Sequence, residues 1–266
     1  MAADVGGPWG GLPAVVLDCG SGSCKAGFAG DSAPRSVFAA AVGWPKSPGT
    51  QASSAPGRRN GYIVDEDEAY GGLNLRRPTE RGVVTSWEDV EKVWRHAFRE
   101  LQVRHGENPV LLTEAPLNPL ANRERTVQVM FEEFNVPAVH MAVSGVLSLY
   151  STGNRTGLVV ECGDGVTQTV PIFDEYVFRH AVNRRDYGGR DLSDYMMRLL
   201  REERGYGVET AGERRAAVQI KEKHCYVAQS FQQELRAAPD NPNLERVFEL
   251  PDGNTILAAG SERFRC

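Results

Sequence analysis

A short pattern that recurs in two distant parts of the chain limits the folds open to it. Residues 15–23 are VVLDCGSGS and residues 159–167 are VVECGDGVT; each is an apolar run followed by a carboxylate, a small residue and alternating glycines. Each copy predicts a buried strand that enters a tight turn, where glycine lets backbone N–H groups approach an anion. Two such turns could hold one polyphosphate from opposite sides. The carboxylates Asp18 and Glu161 would then need a divalent cation beside the phosphates.

Length and charge restrict the class of protein further. The 266 residues suffice for a large core and two lobes. A formal charge of −5 argues against nucleic acid or an acidic membrane as partner, since both favour basic proteins. No apolar run reaches the roughly 20 residues of a membrane span, and the start lacks the pattern of a signal peptide, so we expect a cytoplasmic or nuclear protein. The five scattered cysteines predict reduced thiols rather than disulfides or a zinc site.

Hydrophobic periodicity and turn residues predict alternating strands and helices. Strands are expected at each glycine pattern, on its return arm, and over 110–113. Residues 248–257 predict a hairpin around the turn 251–254. Helices are predicted over 86–101, from Pro119 to about 134, over 144–150, around 192–200, and over 213–231. In the first of these, Ser86 can cap the helix, and one apolar stripe is formed by Trp87, Val90, Trp94, Phe98 and Leu101.

Hairpins followed by helices occur twice, which predicts an α/β protein with two related lobes and a ligand between them. We expect a flexible N-terminus over 1–14, a first lobe over 15–150 and a second lobe over 151–266. Residues 45–60 are rich in Pro, Ser and Gly and predict a mobile surface loop within the first lobe.

Several stretches together resemble actin. Besides the two glycine turns, they are CKAGFAGD (24–31), PVLLTEAPLNP (109–119), GRDL (189–192), IKEK (220–223) and ELPDG (249–253). The resemblance runs from about residue 15 to residue 266 and includes residues that have no catalytic role. It implies an actin-like (ribonuclease H-like) two-lobed ATPase fold, with ATP or ADP and Mg²⁺ or Ca²⁺ in a cleft.

The resemblance also assigns residues to that cleft. Asp18, and with it Glu161, would hold the metal through water. The residues implied to bind nucleotide are Ser21, Gly22, Ser23 and Lys25 at the β-phosphate, Gly163, Asp164, Gly165 and Val166 at the outer phosphates, and Lys221 and Glu222 near the adenosine.

The chain departs from actin at positions that take part in catalysis. Glu161 replaces an Asp, Ser144 replaces the Gln that orients the attacking water, and Gln168 replaces the neighbouring His. Because phosphoryl transfer depends on positioning and electrostatics, each lost group costs on the order of 10² to 10³ in rate. We therefore expect no intact catalytic residues and little or no ATP hydrolysis.

Other departures concern binding. Val218 stands where actin has an Arg near the ribose, and Cys19 replaces an Asn beside the first turn. Actin also continues beyond the position of Cys266, with a glycine-rich loop over the adenine. We therefore expect an incomplete second lobe and nucleotide binding that is weak or absent.

These expectations lead to one main hypothesis and two alternatives. The main hypothesis is a cytoskeletal or scaffold protein of the cytoplasm that acts through protein contacts. A conventional filament is not expected, because residues 52–55 (ASSA) are small and polar where actin has an apolar loop centre. The alternatives are a nucleotide-hydrolysing, filament-forming actin and a regulatory subunit of a nuclear complex.

Overall fold

The structure is a computed structural model that describes residues 11–45, 61–64, 73–206, 211–249, 255–258 and 260–266. Most of the predicted N-terminal segment and of the predicted loop 45–60 lies outside these residues. The chain divides into two compact units, Met1–Tyr187 and Gly188–Cys266. This division falls after the expected boundary at 150, because the sheet that carries the second glycine turn belongs to the first unit. The lobes over 15–150 and 151–266 remain a prediction.

Eight strands precede the first α-helix, and strands and helices are interspersed along the rest of the described chain. The strands are β1 (Val15–Cys19), β2 (Ser23–Phe28), β3 (Ser36–Ala39), β4 (Val42–Pro45), β5 (Tyr62–Ile63), β6 (Leu73–Arg76), β7 (Thr79–Glu80), β8 (Val83–Val84), β9 (Val110–Glu114), β10 (Val139–Val143), β11 (Gly157–Cys162), β12 (Thr167–Phe173), β13 (Tyr176–Val177), β14 (Asn183–Arg185), β15 (Arg246–Glu249) and β16 (Thr255–Ala258). The helices are α1 (Trp87–Glu100), α2 (Leu120–Glu132), α3 (Ser144–Tyr150), α4 (Gly189–Arg204), α5 (Ala211–His224), α6 (Phe231–Ala237) and α7 (Glu262–Arg265).

Two sheets of the first unit carry the glycine turns. The larger sheet has the order β10-β9-β1-β2-β3 and the other has the order β11-β12-β13, with β14 also paired to β12. β1 is antiparallel to β2 and parallel to β9. The predicted hairpins at both turns are confirmed, since β1 returns as β2 and β11 returns as β12.

Aromatic and aliphatic side chains from α1 and from the end of α2 form the main core of the first unit. The predicted apolar stripe of α1 is confirmed, with Val90, Trp94 and Phe98 buried against Leu17 of β1. Phe134 is fully buried there, and its ring centroid lies 5.4 Å from that of Phe98. This core fixes the strand that enters the first turn.

The start of α1 differs in detail from the capping expected at Ser86. Its side chain makes no cap hydrogen bond to the helix backbone. Instead, Ser86 Oγ donates to Asp89 Oδ2 at 3.1 Å. Asp89 is buried and also accepts a hydrogen bond from Trp44 Nε1 at 3.1 Å. The serine therefore stabilises a buried carboxylate rather than the helix N-terminus.

The second unit packs α4 against α5 through Met196, Leu200, Ala217 and Ile220. The single helix predicted over 213–231 is wrong: α5 ends at His224 and α6 begins at Phe231.

Arg263, just past the start of α7, explains this break. Its Nε donates to His224 O at 2.8 Å, and its carbonyl oxygen accepts from Tyr226 N at 3.0 Å. These bonds satisfy backbone groups that a continuous helix would use. The hairpin predicted over 248–257 is confirmed by the pairing of β15 with β16, and its turn at 251–254 lies outside the described residues.

All five cysteines are free thiols; Cys24 is buried and Cys162 is exposed. Within the described ranges, no helix has the length and apolar character needed to cross a bilayer.

Candidate functional site

The repeated sequence pattern folds into a repeated structure. In the first turn Gly20 N–H donates to Ser23 O at 2.9 Å, and in the second Gly163 N–H donates to Val166 O at the same distance. Both turns join antiparallel strands, and each carboxylate lies just before its turn. The two turns are therefore equivalent in backbone hydrogen bonding as well as in sequence.

The two turns face each other within the first unit. A Cβ atom added to Gly22 would lie 2.9 Å from the Cβ of Asp164, and one added to Gly165 would lie 2.9 Å from Ser21 Oγ. Such distances are too short for side chains, so glycine is required at this approach. The facing arrangement expected from the sequence repeat is present.

An arginine that the sequence pattern does not reveal connects the turns. Arg81 Nη1 donates to Gly165 O at 2.8 Å, and the neighbouring Gly82 N–H donates to Ser21 Oγ at 3.0 Å. The segment 81–82 thus contacts both turns at once. No local motif marks it, because its role depends on contacts with residues far away in the chain.

A cavity of about 980 Å³ opens between the turns. All residues of the first unit that were predicted to bind phosphate or metal, or to occupy catalytic positions, line this cavity. They are Asp18, Ser21, Gly22, Ser23, Lys25, Ser144, Glu161, Gly163, Asp164, Gly165, Val166 and Gln168. Pockets for small molecules usually measure about 300–1,000 Å³, so this one could hold a nucleotide.

The first carboxylate forms an accessible ion pair at the cavity. Asp18 accepts from Lys25 Nζ at 3.1 Å and from Thr113 Oγ1 at 2.7 Å. The Asp18 and Lys25 side chains are both nearly half exposed. Exposed pairs contribute little to stability, so either group can exchange its partner for a ligand at small cost.

The second carboxylate is held by neutral side chains, and we call this group the Glu161 cluster: Glu161, Ser144, Ser148 and Gln168. Glu161 Oε2 accepts from Ser144 Oγ at 2.8 Å and from Gln168 Nε2 at 2.7 Å, while Oε1 accepts from Ser148 Oγ at 3.4 Å. Ser148 is not among the residues predicted from the sequence, although it lies one helical turn after Ser144 on α3 and so shares its face. Ser144 and Gln168, two of the catalytic positions expected to depart from actin, thus both contact the third, Glu161.

Three features of the cavity fit a metal-bound nucleotide. The facing glycines leave the space that a phosphate group needs, and carboxylates lie at both strand ends. Gln168 Oε1 is buried and has no hydrogen-bond partner, so it can accept from a bound water. The described residues contain no group of three His, Cys, Asp or Glu side chains that could hold a metal directly. That Asp18 and Glu161 hold a cation through water remains a prediction.

The two adenosine residues expected from the resemblance lie on α5 in the second unit. Lys221 Nζ donates to Gly189 O and to Ser193 Oγ, both at 2.9 Å. Its ammonium group thus joins α5 to the first turn of α4, and Glu222 is exposed. Their contact with a nucleotide remains a prediction.

The family model for actin matches residues 10–266. The chain belongs to the actin family. Its α/β architecture, with the five-stranded mixed sheet and the glycine turns, is that of an actin-like fold. Members of this fold family generally bind nucleotide together with a divalent metal.

The close approach of the turns predicts different effects for two similar substitutions. We expect Gly165→Ala to lower the free energy of unfolding by about 1–3 kcal/mol, because the new methyl group displaces the Ser21 hydroxyl that accepts from Gly82 N–H. Gly163→Ala is the matched control, since its Cβ would meet only Val166 O at 3.4 Å. Urea denaturation of both variants measures the difference. Equal losses would contradict the facing geometry.

Proposed function

We propose that this protein is an actin-like cytoskeletal or scaffold component of the cytoplasm that acts through protein contacts. Its cleft holds ATP or ADP weakly, as a structural ligand, and hydrolyses it little or not at all. This proposal rests mainly on the hydrogen bonds within the Glu161 cluster.

The hydrogen bonds of the Glu161 cluster support loss of hydrolysis. Hydrolysis needs a group that orients the attacking water, and that group must have hydrogen-bonding capacity to spare. The Ser144 hydroxyl and the Gln168 amide N–H both donate to the same oxygen of Glu161. Each group thus commits one donor hydrogen to Glu161, and the carbonyl oxygen of Gln168, which has no partner, lies in a buried position.

When bound, a nucleoside triphosphate supplies the γ-phosphoryl group and its cation neutralises the phosphate charge. The residues that would surround the phosphates are those of the two turns together with Lys25. Lys25 would contribute a point charge and Ser21 a hydroxyl group. Their contribution is to bind and orient the phosphate groups.

Exposed apolar side chains support the part of the proposal that concerns protein contacts. On β11, Leu158 is 64% exposed and Val160 is 60% exposed, and both lie on the same face of the strand. Contiguous apolar surface of this kind is typical of protein interaction sites.

Sedimentation in polymerising salt, with conventional actin alongside, tests the assembly claim. We expect this chain to stay in the supernatant while conventional actin pellets. Pelleting of both would favour the filament-forming alternative. Recovery of the chain within a defined nuclear complex would favour the regulatory-subunit alternative.

Titration of nucleotide against thermal unfolding tests the binding claim. A ligand at 100 times its Kd stabilises a fold by about 2.7 kcal/mol. We expect smaller effects at millimolar Mg-ATP, and similar effects for Mg-ADP. Much stronger stabilisation by Mg-ATP than by Mg-ADP would contradict the proposal.

A further inference from the structure

Two cysteines lie directly opposite each other at the base of the first glycine turn. In the antiparallel pairing of β1 with β2, Cys19 is the register partner of Cys24. Backbone hydrogen bonds join Ala29 N to Ala14 O and Gly20 N to Ser23 O on the two sides of this stretch. Because hydrogen-bonded and non-hydrogen-bonded pairs alternate in such a ladder, Cys19 and Cys24 form a non-hydrogen-bonded pair.

This kind of pair is the closer of the two, with Cα atoms about 4.5 Å apart. A disulfide requires Cα atoms about 4.4–6.8 Å apart. A side-chain hydrogen bond with Cys19, together with burial, raises the pKa of Cys24. The strands therefore hold the sulfur atoms together before any bond forms.

The two thiols differ in access. Cys24 is fully buried, whereas Cys19 is half-buried and lines the cavity between the turns. A small oxidant that enters the cavity therefore reaches Cys19 first. Cys24, buried beside it, is positioned to act as the resolving thiol.

We propose that Cys19 and Cys24 form a reversible disulfide when a peroxide enters the cleft. Cys19 sulfur attacks one peroxide oxygen, the O–O bond breaks, and the other oxygen leaves as water once protonated. The sulfur of Cys24 then displaces the hydroxyl of the Cys19 sulfenic acid, which leaves as a second water. In total, two thiols and one peroxide give one disulfide and two waters, and the two electrons pass from sulfur to oxygen.

The disulfide would close a covalent ring around Gly20, Ser21, Gly22 and Ser23, the residues of the first turn. The shape of that turn would then depend on the oxidation state of the protein. The second turn provides an internal comparison. In the second turn, Cys162 is the residue equivalent to Cys19, but its partner in the strand register is Thr167. No thiol faces Cys162 across the strand pair.

The sequence allows a direct assay, because no Lys or Arg precedes Lys25. Both cysteines therefore lie in the tryptic peptide 1–25. The purified full chain is treated with hydrogen peroxide, quenched with acid, alkylated in denaturant and digested. We expect mass spectrometry to show this peptide without alkyl groups and two hydrogens lighter, and dithiothreitol to restore both alkylation sites. Full alkylation of the peptide at peroxide doses that oxidise Cys162 would overturn the proposal, as would sulfinic acid at Cys19 beside an alkylated Cys24.

Two controls separate the folded arrangement from chance pairing of nearby thiols. The same reaction in denaturant should be at least about tenfold slower, because the folded strands position the sulfur atoms. Equal rates would contradict the proposal. In Cys19→Ser, which changes the half-buried member of the pair, Cys24 should stay alkylatable after peroxide treatment. Oxidation of Cys24 at the native rate in that variant would also contradict it.

Discussion

Replacing Phe134 by alanine is expected to lower the free energy of unfolding by about 3–5 kcal/mol. The Phe134 ring is fully buried between the rings of Phe98 and Trp94, with centroid distances of 5.4 Å and 6.1 Å. Truncation removes these contacts and leaves a cavity that the surrounding sheet and helix cannot refill. Urea denaturation followed by circular dichroism measures the loss.

Phe131→Ala is the matched control, since Phe131 lies on α2 only three residues earlier and is 44% exposed. We expect Phe131→Ala to lower the free energy of unfolding by less than about 1 kcal/mol. Much of the ring stays in water in the folded protein, so folding gains only part of the free energy of its transfer out of water. Similar losses for the two variants would show that Phe134 does not occupy the core described above.

Arg204→Ala is expected to cost the second unit about 3–5 kcal/mol. Arg204 Nε lies 2.7 Å from Glu262 Oε1, and the Glu262 side chain is only 2% exposed. The pairing with Glu262 raises the pKa of Arg204. Without the guanidinium group, the Glu262 carboxylate would remain buried with no counter-ion among the described residues, and its Oε2 atom already lacks a partner. Thermal and urea unfolding of the full chain measure the effect.

The same helix provides a control in Arg198→Ala. Arg198 Nε lies 3.9 Å from Glu202 Oε2, and both side chains are about 60% exposed. Such surface pairs contribute roughly 0–1 kcal/mol, so the substitution should change stability very little. An equal loss for Arg198→Ala and Arg204→Ala would mean that burial of Glu262 does not determine the effect.

Local features of the fold could be predicted from the sequence. The two glycine turns follow from a pattern of nine residues each, because the apolar run specifies a strand and glycine permits the turn. The stripe on α1 follows from helical spacing alone. Neither depends on which distant residues pack nearby.

Features that depend on distant contacts could not be predicted. α5 ends at His224 because Arg263 supplies hydrogen bonds to the chain there. Arg81 connects the two turns although no motif surrounds it. The sequence predicts Ser144, Glu161 and Gln168 only as separate departures from actin. The hydrogen bonds of Ser144 and Gln168 to Glu161 depend on how α3, β11 and β12 pack together.

The claim that the Glu161 cluster has replaced the hydrolytic machinery is tested most directly by phosphate release from Mg-ATP. The full chain and conventional actin are compared at the same concentration, salt and temperature. We predict that this chain releases phosphate no faster than a buffer control over the time in which conventional actin completes a turnover. Release at a rate comparable to that of conventional actin would contradict the proposed function.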